Sequence, residues 1–287
     1  MYIFPEGTRG GFGTDLALER RRADTELEGV DYKKERCTVG VWERIRITSK
    51  EGAKSIGRPE GRYDTLSLEM IDKMDAEESA DAAEEVAKEL CLLCDRNRVL
   101  PERILVVGLG NGQLTPDSIG VKAAERVNPT RHIRLLDGNM FDSLECSEIS
   151  VICPGVTATT GLTALDTVKG ICQRTMPDVV LAIDAICARS PSRLGSTLQF
   201  SDTGIFPGSG LGRGKCELSA STLGIPVFAI GVPTVMDSRM FVVENGEARP
   251  LDEVNRMFIS PKDIDSLVKI GARIIGDGIN QAFGIDC

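Results

Sequence analysis

Histidine is nearly absent from this sequence, which has one histidine among 287 residues. A metal site built from several histidines is therefore excluded, and a histidine-dependent catalytic triad would have to use His132 alone. No G-x-S-x-G pentapeptide accompanies His132, so we interpret it as a surface or packing residue. The sequence also has no apolar run near the ~18 residues of a transmembrane helix, and its N-terminus does not resemble a signal peptide. We therefore expect a cytoplasmic protein with no membrane partner.

Positive charge is in deficit, with 34 lysine and arginine residues against 43 aspartate and glutamate residues. The resulting net charge of −9 argues against nucleic acid as the main partner, because phosphate binding depends on clustered lysine and arginine. The nine cysteines are spread over the chain, and an odd number in this arrangement favours free thiols over a disulfide framework. The hydrophobic content of 41% is that of an ordinary globular protein.

After residue 100, short apolar runs alternate with segments of helical periodicity. Such an order predicts an α/β fold, in which a mostly parallel sheet is covered by helices on both faces. We expect one domain with an added N-terminal β-rich subregion, preceded by a loosely docked leader over residues 1–36. The predicted strands are 37–48, 64–70, 104–108, 150–153, 179–183 and 227–231. The predicted helices are 75–96, 160–174 and 261–282. A further helix is predicted to start at Pro116, with Thr115 as its N-cap.

Two aspartates follow apolar runs of the predicted sheet. Asp184 comes directly after residues 179–183, and Asp117 closes the loop that follows residues 104–108. Since ligands of parallel sheets bind beyond the carboxyl ends of the strands, these carboxylates can converge on one crevice. Such a pair can divide acid and base roles, whereas an aspartate after a strand can also be only a helix cap.

Several glycine-rich segments imitate known motifs. The spacing of Gly108, Gly110 and Gly112 lacks the third glycine of a dinucleotide site, and residues 209–216 fail the phosphate-loop pattern at both ends. The triplet 202–204 (DTG) matches pepsin-like proteases, but those folds are all-β. We interpret the loop 201–210 as substrate-binding or structural, with Asp202 as a lesser catalytic candidate.

Taken together, these segments resemble the spore germination proteases of endospore-forming bacteria. The matching stretches lie in order over nearly the whole chain and are jointly specific. They are residues 14–19 (TDLALE), 106–111 (VVGLGN), 114–117 (LTPD), 130–132 (TRH), 154–156 (PGV), 160–161 (TG), 181–185 (LAIDA), 201–205 (SDTGI), 207–210 (PGSG), 222–227 (TLGIPV) and 230–237 (IGVPTVMD).

The resemblance implies an endopeptidase that degrades small acid-soluble spore proteins during germination, in the cytoplasm of the spore core. It also implies an aspartic-type mechanism with Asp117 and Asp184 as the essential carboxylates, no cofactor, a homotetramer, and a fold similar to that of hydrogenase-maturation endopeptidases. The residues expected to bind substrate or support the site are Gly110, Asn111, Thr160, Gly161, Asp202, Thr203, Gly204, Gly208, Ser209 and Gly210.

The resemblance further implies a self-processing zymogen. Substrates of the family are cut between an acidic and an apolar residue, and residues 14–19 nearly match that context. We therefore hypothesise a propeptide over residues 1–15, cut between Asp15 and Leu16, and a peptidase domain over residues 16–287. Two alternatives remain: a metal-dependent peptidase of the hydrogenase-maturation type, and a non-catalytic protein whose glycine-rich loops bind a small anion.

Overall fold

The computed structural model describes residues 14–21, 27–207, 217–238 and 257–284. Within these ranges, the secondary structure consists of one nine-stranded sheet, nine α-helices and short 3₁₀ turns. The strands are β1 (Val30–Cys37), β2 (Gly40–Ile47), β3 (Gly61–Leu68), β4 (Arg103–Gly108), β5 (Glu148–Ile152), β6 (Val179–Ala188), β7 (Thr197–Ser201), β8 (Val227–Asp237) and β9 (Phe258–Ile259). The helices are α1 (Lys50–Ile56), α2 (Ala76–Asn97), α3 (Ile119–Ala124), α4 (Arg131–Leu136), α5 (Gly138–Asp142), α6 (Thr157–Thr160), α7 (Ala164–Thr175), α8 (Ala220–Leu223) and α9 (Ile264–Phe283).

The sheet has the strand order β1-β2-β3-β7-β8-β6-β4-β5, with β9 beside β8. Strands β8, β6, β4 and β5 run parallel, and every other pairing is antiparallel. The predicted α/β class is confirmed. The sheet is mixed because the predicted N-terminal β-rich subregion, β1 to β3, extends the same sheet through β7.

The parallel strands β4, β6 and β8 are buried on both faces. In β4, Ile104 and Val106 join the core on one face, while Leu105 and Val107 join the core on the other. The long helices α2 and α9 contribute to the first core, and α7 contributes to the second. Because side chains of a strand alternate between faces, a continuous apolar run is what such a strand requires.

Four local predictions differ from the structure. The predicted strand 37–48 corresponds to β2 at 40–47, but Cys37 belongs to β1, which pairs antiparallel with β2 around a two-residue turn at Thr38 and Val39. Thr115 does not cap a helix; it begins a 3₁₀ turn that ends at Asp117. The helix expected from residue 160 begins at Ala164, where Thr163 forms a capping box with Asp166. Strand β7 was not predicted.

Within the predicted leader, the described residues 14–21 are docked more firmly than expected. Leu16 and Ala17 are completely buried, and a 3₁₀ turn follows at Leu18–Arg20. From Val30 onward the chain already forms β1. Residues 14–21 therefore belong to the packed protein.

Candidate active site

Asp184 lies near the middle of β6, where it is paired with Gly231 of the parallel strand β8. Asp184 is only 5% exposed. Burial raises the pKa of Asp184 well above its usual value, and the negative charges of Asp117 and Asp15 raise it further. A carboxyl group in this setting therefore favours its protonated form more than a solvent-exposed aspartate does.

Asp117 is brought toward β6 by the loop that follows β4. The loop stays attached to β6 because the Leu109 N–H donates to the Ile183 carbonyl at 2.8 Å, one residue before Asp184. The Asn111 N–H then donates to Oδ2 of Asp117, also at 2.8 Å. Burial raises the pKa of Asp117, and this hydrogen bond opposes the rise because it favours the ionised form.

Gly110 allows this loop to close around Asp117. Its φ of +102° is one that residues with a side chain rarely adopt, and a Cβ there would lie 2.0 Å from the Asp117 carbonyl oxygen. On the other side of the turn, the Thr234 hydroxyl donates to the Pro116 carbonyl at 2.6 Å. The turn that carries Asp117 is therefore held by both the loop and β8.

Both carboxylates line one cavity of about 510 Å³. Among the residues predicted from the sequence, Asp15, Thr203 and Gly204 line the same cavity. Its walls combine apolar and polar side chains, as is usual for a ligand-binding cavity. They include Arg58, Tyr63, Leu114, Ile186, Gln199, Ile205 and Phe206.

Residues 14–20 pack at one side of this cavity. The Asp15 N–H donates to the Cys187 carbonyl at 2.8 Å, and the Cys187 N–H donates to the Asp15 carboxylate at 2.9 Å. Leu16 packs into an apolar cluster with side chains of β6 and β8. The predicted cleavage position, Asp15–Leu16, thus lies at the wall of the cavity that holds Asp117 and Asp184.

The remaining predicted residues have other positions. Asp202 does not line the cavity; its Oδ1 accepts the Arg62 N–H at 2.8 Å, which ties the end of β7 to β3. Thr160 and Gly161 are exposed at the end of α6, where Gly161 adopts a left-handed conformation, and they do not line the cavity either. Gly208, Ser209 and Gly210 lie outside the described residues.

Three cavity residues were missed by the sequence analysis. Arg58 bonds to Asp15, Gln199 bonds to the backbone on both sides of Leu16, and burial raises the pKa of Tyr63 to about 12. Arg58 and Tyr63 stand alone in short segments, without a motif around them. Gln199 lies on β7, and a prediction of that strand from the sequence would have placed Gln199 near the site.

Within the described ranges, no group of three or more histidine, cysteine, aspartate or glutamate side chains is arranged to hold a metal ion. Within the described residues, Asp117 and Asp184 thus have no third group of this kind placed to complete a metal site with them. No described helix is long and apolar enough to cross a membrane.

Comparison with known proteins identifies relatives over most of the chain. The peptidase A25 family model, described as germination protease, matches residues 14–246. The germination protease of Caldanaerobacter subterraneus subsp. tengcongensis is 33% identical, and the match covers 95% of this chain and 94% of that protein. The germination proteases of Bacillus subtilis and Bacillus cereus are 39% and 42% identical over 78% of this chain. The match covers 63% of each Bacillus protein, so it spans less than two thirds of their length.

Among solved structures, a [NiFe] hydrogenase maturation protease, HycI from Thermococcus kodakarensis, is similar with 16% identity and a TM-score of 0.35. The match covers 63% of this chain and 94% of that protein, but a TM-score of this size supports no inference about mechanism. The family model and the sequence relatives show the family of this chain without the structural match. The chain belongs to the germination protease family, a family of peptidases.

Proposed function

We propose that this protein is an endopeptidase that degrades small acid-soluble spore proteins during germination, using Asp117 and Asp184 and no metal. The observation that carries the proposal is that both carboxylates line one cavity while their surroundings differ. Asp184 is the more deeply buried and stands in the field of Asp117, whereas Asp117 accepts a backbone N–H. Two carboxylates with separated pKa values are what acid–base hydrolysis of a peptide requires.

The surroundings of the two groups suggest their roles. Asp117 is the ionised member and acts as general base on a water molecule, which attacks the scissile carbonyl carbon. Asp184 carries the proton and transfers it to the nitrogen of the leaving amine, acting as general acid. The two groups titrate as a pair, so both limbs of the pH profile depend on both residues. Activity should fall at low pH when Asp117 is protonated and at high pH when Asp184 loses its proton.

The protein is further proposed to be a self-processing zymogen. Residues 1–15 form its propeptide, residues 16–287 form one peptidase domain, and the cut lies between Asp15 and Leu16. Support comes from the position of Asp15 in the wall of the cavity and from its effect on the pKa of Asp184. N-terminal sequencing of the matured protein should begin at Leu16, and any other start contradicts this part of the proposal.

The cellular setting follows from the proposed role. The substrates are proteins of the spore core, so the enzyme acts in the spore cytoplasm. Assembly as a homotetramer is proposed from the family resemblance, and sedimentation at several protein concentrations tests it.

Two other functions are separable by experiment. The first is a metal-dependent peptidase, for which the described donor groups offer little support. Activity that is lost with a chelator and restored by a divalent ion would favour it. The second is a non-catalytic protein that binds an anion through its glycine-rich loops. Such a protein would leave a spore-protein peptide intact.

Incubation of the purified chain with a small acid-soluble spore protein, followed by mass spectrometry, tests the proposal. We expect two products that meet at a bond between an acidic and an apolar residue. Products that meet elsewhere would contradict the substrate assignment, and an intact substrate would contradict the peptidase assignment.

A further inference from the structure

The segment from Thr14 to Glu19 has the residue types proposed for a cleavage site, and it lies against the cavity wall. Its acidic residue is Asp15, its apolar residue is Leu16 and its small residue is Ala17. The contacts of this segment therefore serve as a guide to how a substrate of the same pattern is held. From these contacts we infer that Arg58 selects the acidic residue that precedes the cut bond. This inference rests on the proposed function.

Arg58 contacts the acidic residue twice through the same nitrogen. Its Nη2 donates to the Asp15 carbonyl at 2.7 Å and lies 3.3 Å from the Asp15 carboxylate oxygen Oδ1. Arg58 comes from the loop before β3, outside the docked segment, so it remains in place when another peptide takes the position of the segment. Arg58 thus binds both the carboxylate and the backbone carbonyl of one residue.

The guanidinium of Arg58 has few other partners. Its side chain is 14% exposed, its one ion pair among the described residues is with Asp15, and its Nε is buried there with no hydrogen-bond partner. A partly buried cation that loses its carboxylate is left without its ion-pair partner, which is unfavourable. When Asp15 leaves, a substrate with an acidic residue at this position restores the pair, and a substrate with a neutral residue does not.

Gln199 sets the register of the segment on Arg58. Its Oε1 accepts the Ala17 N–H at 2.8 Å, and its Nε2 donates to the Asp15 carbonyl at 3.3 Å. One side chain therefore holds the backbone on both sides of Leu16. With the backbone held in this way, the residue before Leu16 must present its side chain toward Arg58 and the Cys187 N–H.

An apolar socket accepts the next residue. Leu16 is completely buried in a cluster with Ile186, Ala188, Leu194 and Met236. A cation beside such a socket distinguishes an acidic–apolar pair from other dipeptides. The two elements together match the bond that the proposed substrates present.

The test uses two peptides that contain the sequence of residues 14–19 and differ only by Asp or Asn at the acidic position. The full chain is first incubated until its N-terminus no longer changes, and kcat/KM is then measured for both peptides. Wild type should prefer the Asp peptide by roughly 10- to 100-fold, the value of a hydrogen bond to a charged group. In Arg58→Gln this ratio should fall toward one.

Arg62→Gln is the matched control, because Arg62 lies four residues away and its side chain makes no contact with Asp15 in the described structure. It should keep the wild-type ratio. Each ratio compares kcat/KM for the two peptides on the same variant. A smaller amount of folded protein therefore lowers both values equally and leaves the ratio unchanged. If Arg58→Gln does not fold, Arg58→Lys replaces it, and its ratio should lie below that of wild type because lysine lacks the planar donor group.

The outcomes separate this inference from the proposed function. Equal cleavage of the two peptides by wild type, or a preference that survives Arg58→Gln or is unchanged in Arg58→Lys, overturns the role of Arg58 and leaves the peptidase intact. Failure of wild type to cleave either peptide overturns the proposed function and this inference with it.

Discussion

Replacement of Gly110 by alanine should disable the site while leaving most of the fold intact. The φ of +102° would strain an alanine by about 1–3 kcal/mol. Its Cβ would also lie 2.0 Å from the Asp117 carbonyl oxygen, a distance that two atoms cannot share. The loop or the turn must therefore move, and the carboxylate of Asp117 moves with it.

A displacement of ~1 Å at a reacting group costs about 100-fold in rate, so we expect kcat/KM of Gly110→Ala to fall by that order. The strain should lower the melting temperature by a few degrees, at roughly 2–4 °C per kcal/mol. The assay is cleavage of the Asp peptide, with circular dichroism to follow unfolding.

Gly112→Ala is the matched control in the same loop. A Cβ at Gly112 would meet only a methyl group of Val121 at 3.4 Å, which is an ordinary contact. This variant should keep nearly normal activity. Wild-type activity in Gly110→Ala, or an equal loss in both variants, would refute the reasoning that Gly110 positions Asp117.

Three other substitutions test separate parts of the structure. Burial raises the pKa of the Glu89 carboxyl from 4.5 to about 8, and the negative charge of Asp64 raises it further within that shift. The proton on Glu89 therefore stabilises the folded protein fully below pH 4.5, and this stabilisation is lost as the pH rises to 8. Urea denaturation should show that wild type loses stability over this interval and that Glu89→Gln loses less; an identical pH dependence of the two proteins would contradict the assignment. Asp202→Ala should cost about 1–3 kcal/mol in thermal unfolding but keep kcat/KM within roughly threefold, since the Asp202 carboxylate accepts the Arg62 N–H and a 3.4 Å hydrogen bond from the Asn97 side chain and does not line the cavity; loss of turnover in folded protein would make it catalytic. Thr234→Val removes the hydroxyl that donates to the Pro116 carbonyl and should reduce kcat. Thr234→Ser keeps a hydroxyl and should retain a higher kcat than Thr234→Val. Equal kcat in the two variants would show that this hydrogen bond does not position Asp117.

The parallel half of the sheet was predictable because its strands are buried on both faces. Residues 104–108 and 179–183 are continuous apolar runs, and both lie in observed strands. The rule that ligands bind beyond such strands then directed attention to Asp117 and Asp184, which do line one cavity. Asp184, however, lies within β6, because this strand continues to Ala188.

The remaining features depend on contacts between distant parts of the chain. Strand β7 is only five residues long and precedes a glycine-rich loop, so its neighbours β3 and β8 define it more than its own sequence does. The docking of Leu16 requires an apolar cluster from β6 and β8, 170 or more residues away in sequence. Asp202 was only a lesser candidate, since its triplet is typical of an unrelated fold, and its hydrogen bond to the Arg62 N–H depends on the pairing of β7 with β3.

The central claim is that Asp117 and Asp184 perform the hydrolysis together. Its most direct test is kcat/KM of Asp117→Asn and Asp184→Asn on a small acid-soluble spore protein, measured by mass spectrometry with Asp202→Asn as the matched control. These isosteric changes nearly keep the shape of the site and remove both the charge and the proton transfer of each carboxyl group. We predict that each dyad variant stays folded and loses at least about 1,000-fold in activity while the control stays near wild type. Near-normal cleavage by either Asp117→Asn or Asp184→Asn would contradict the account.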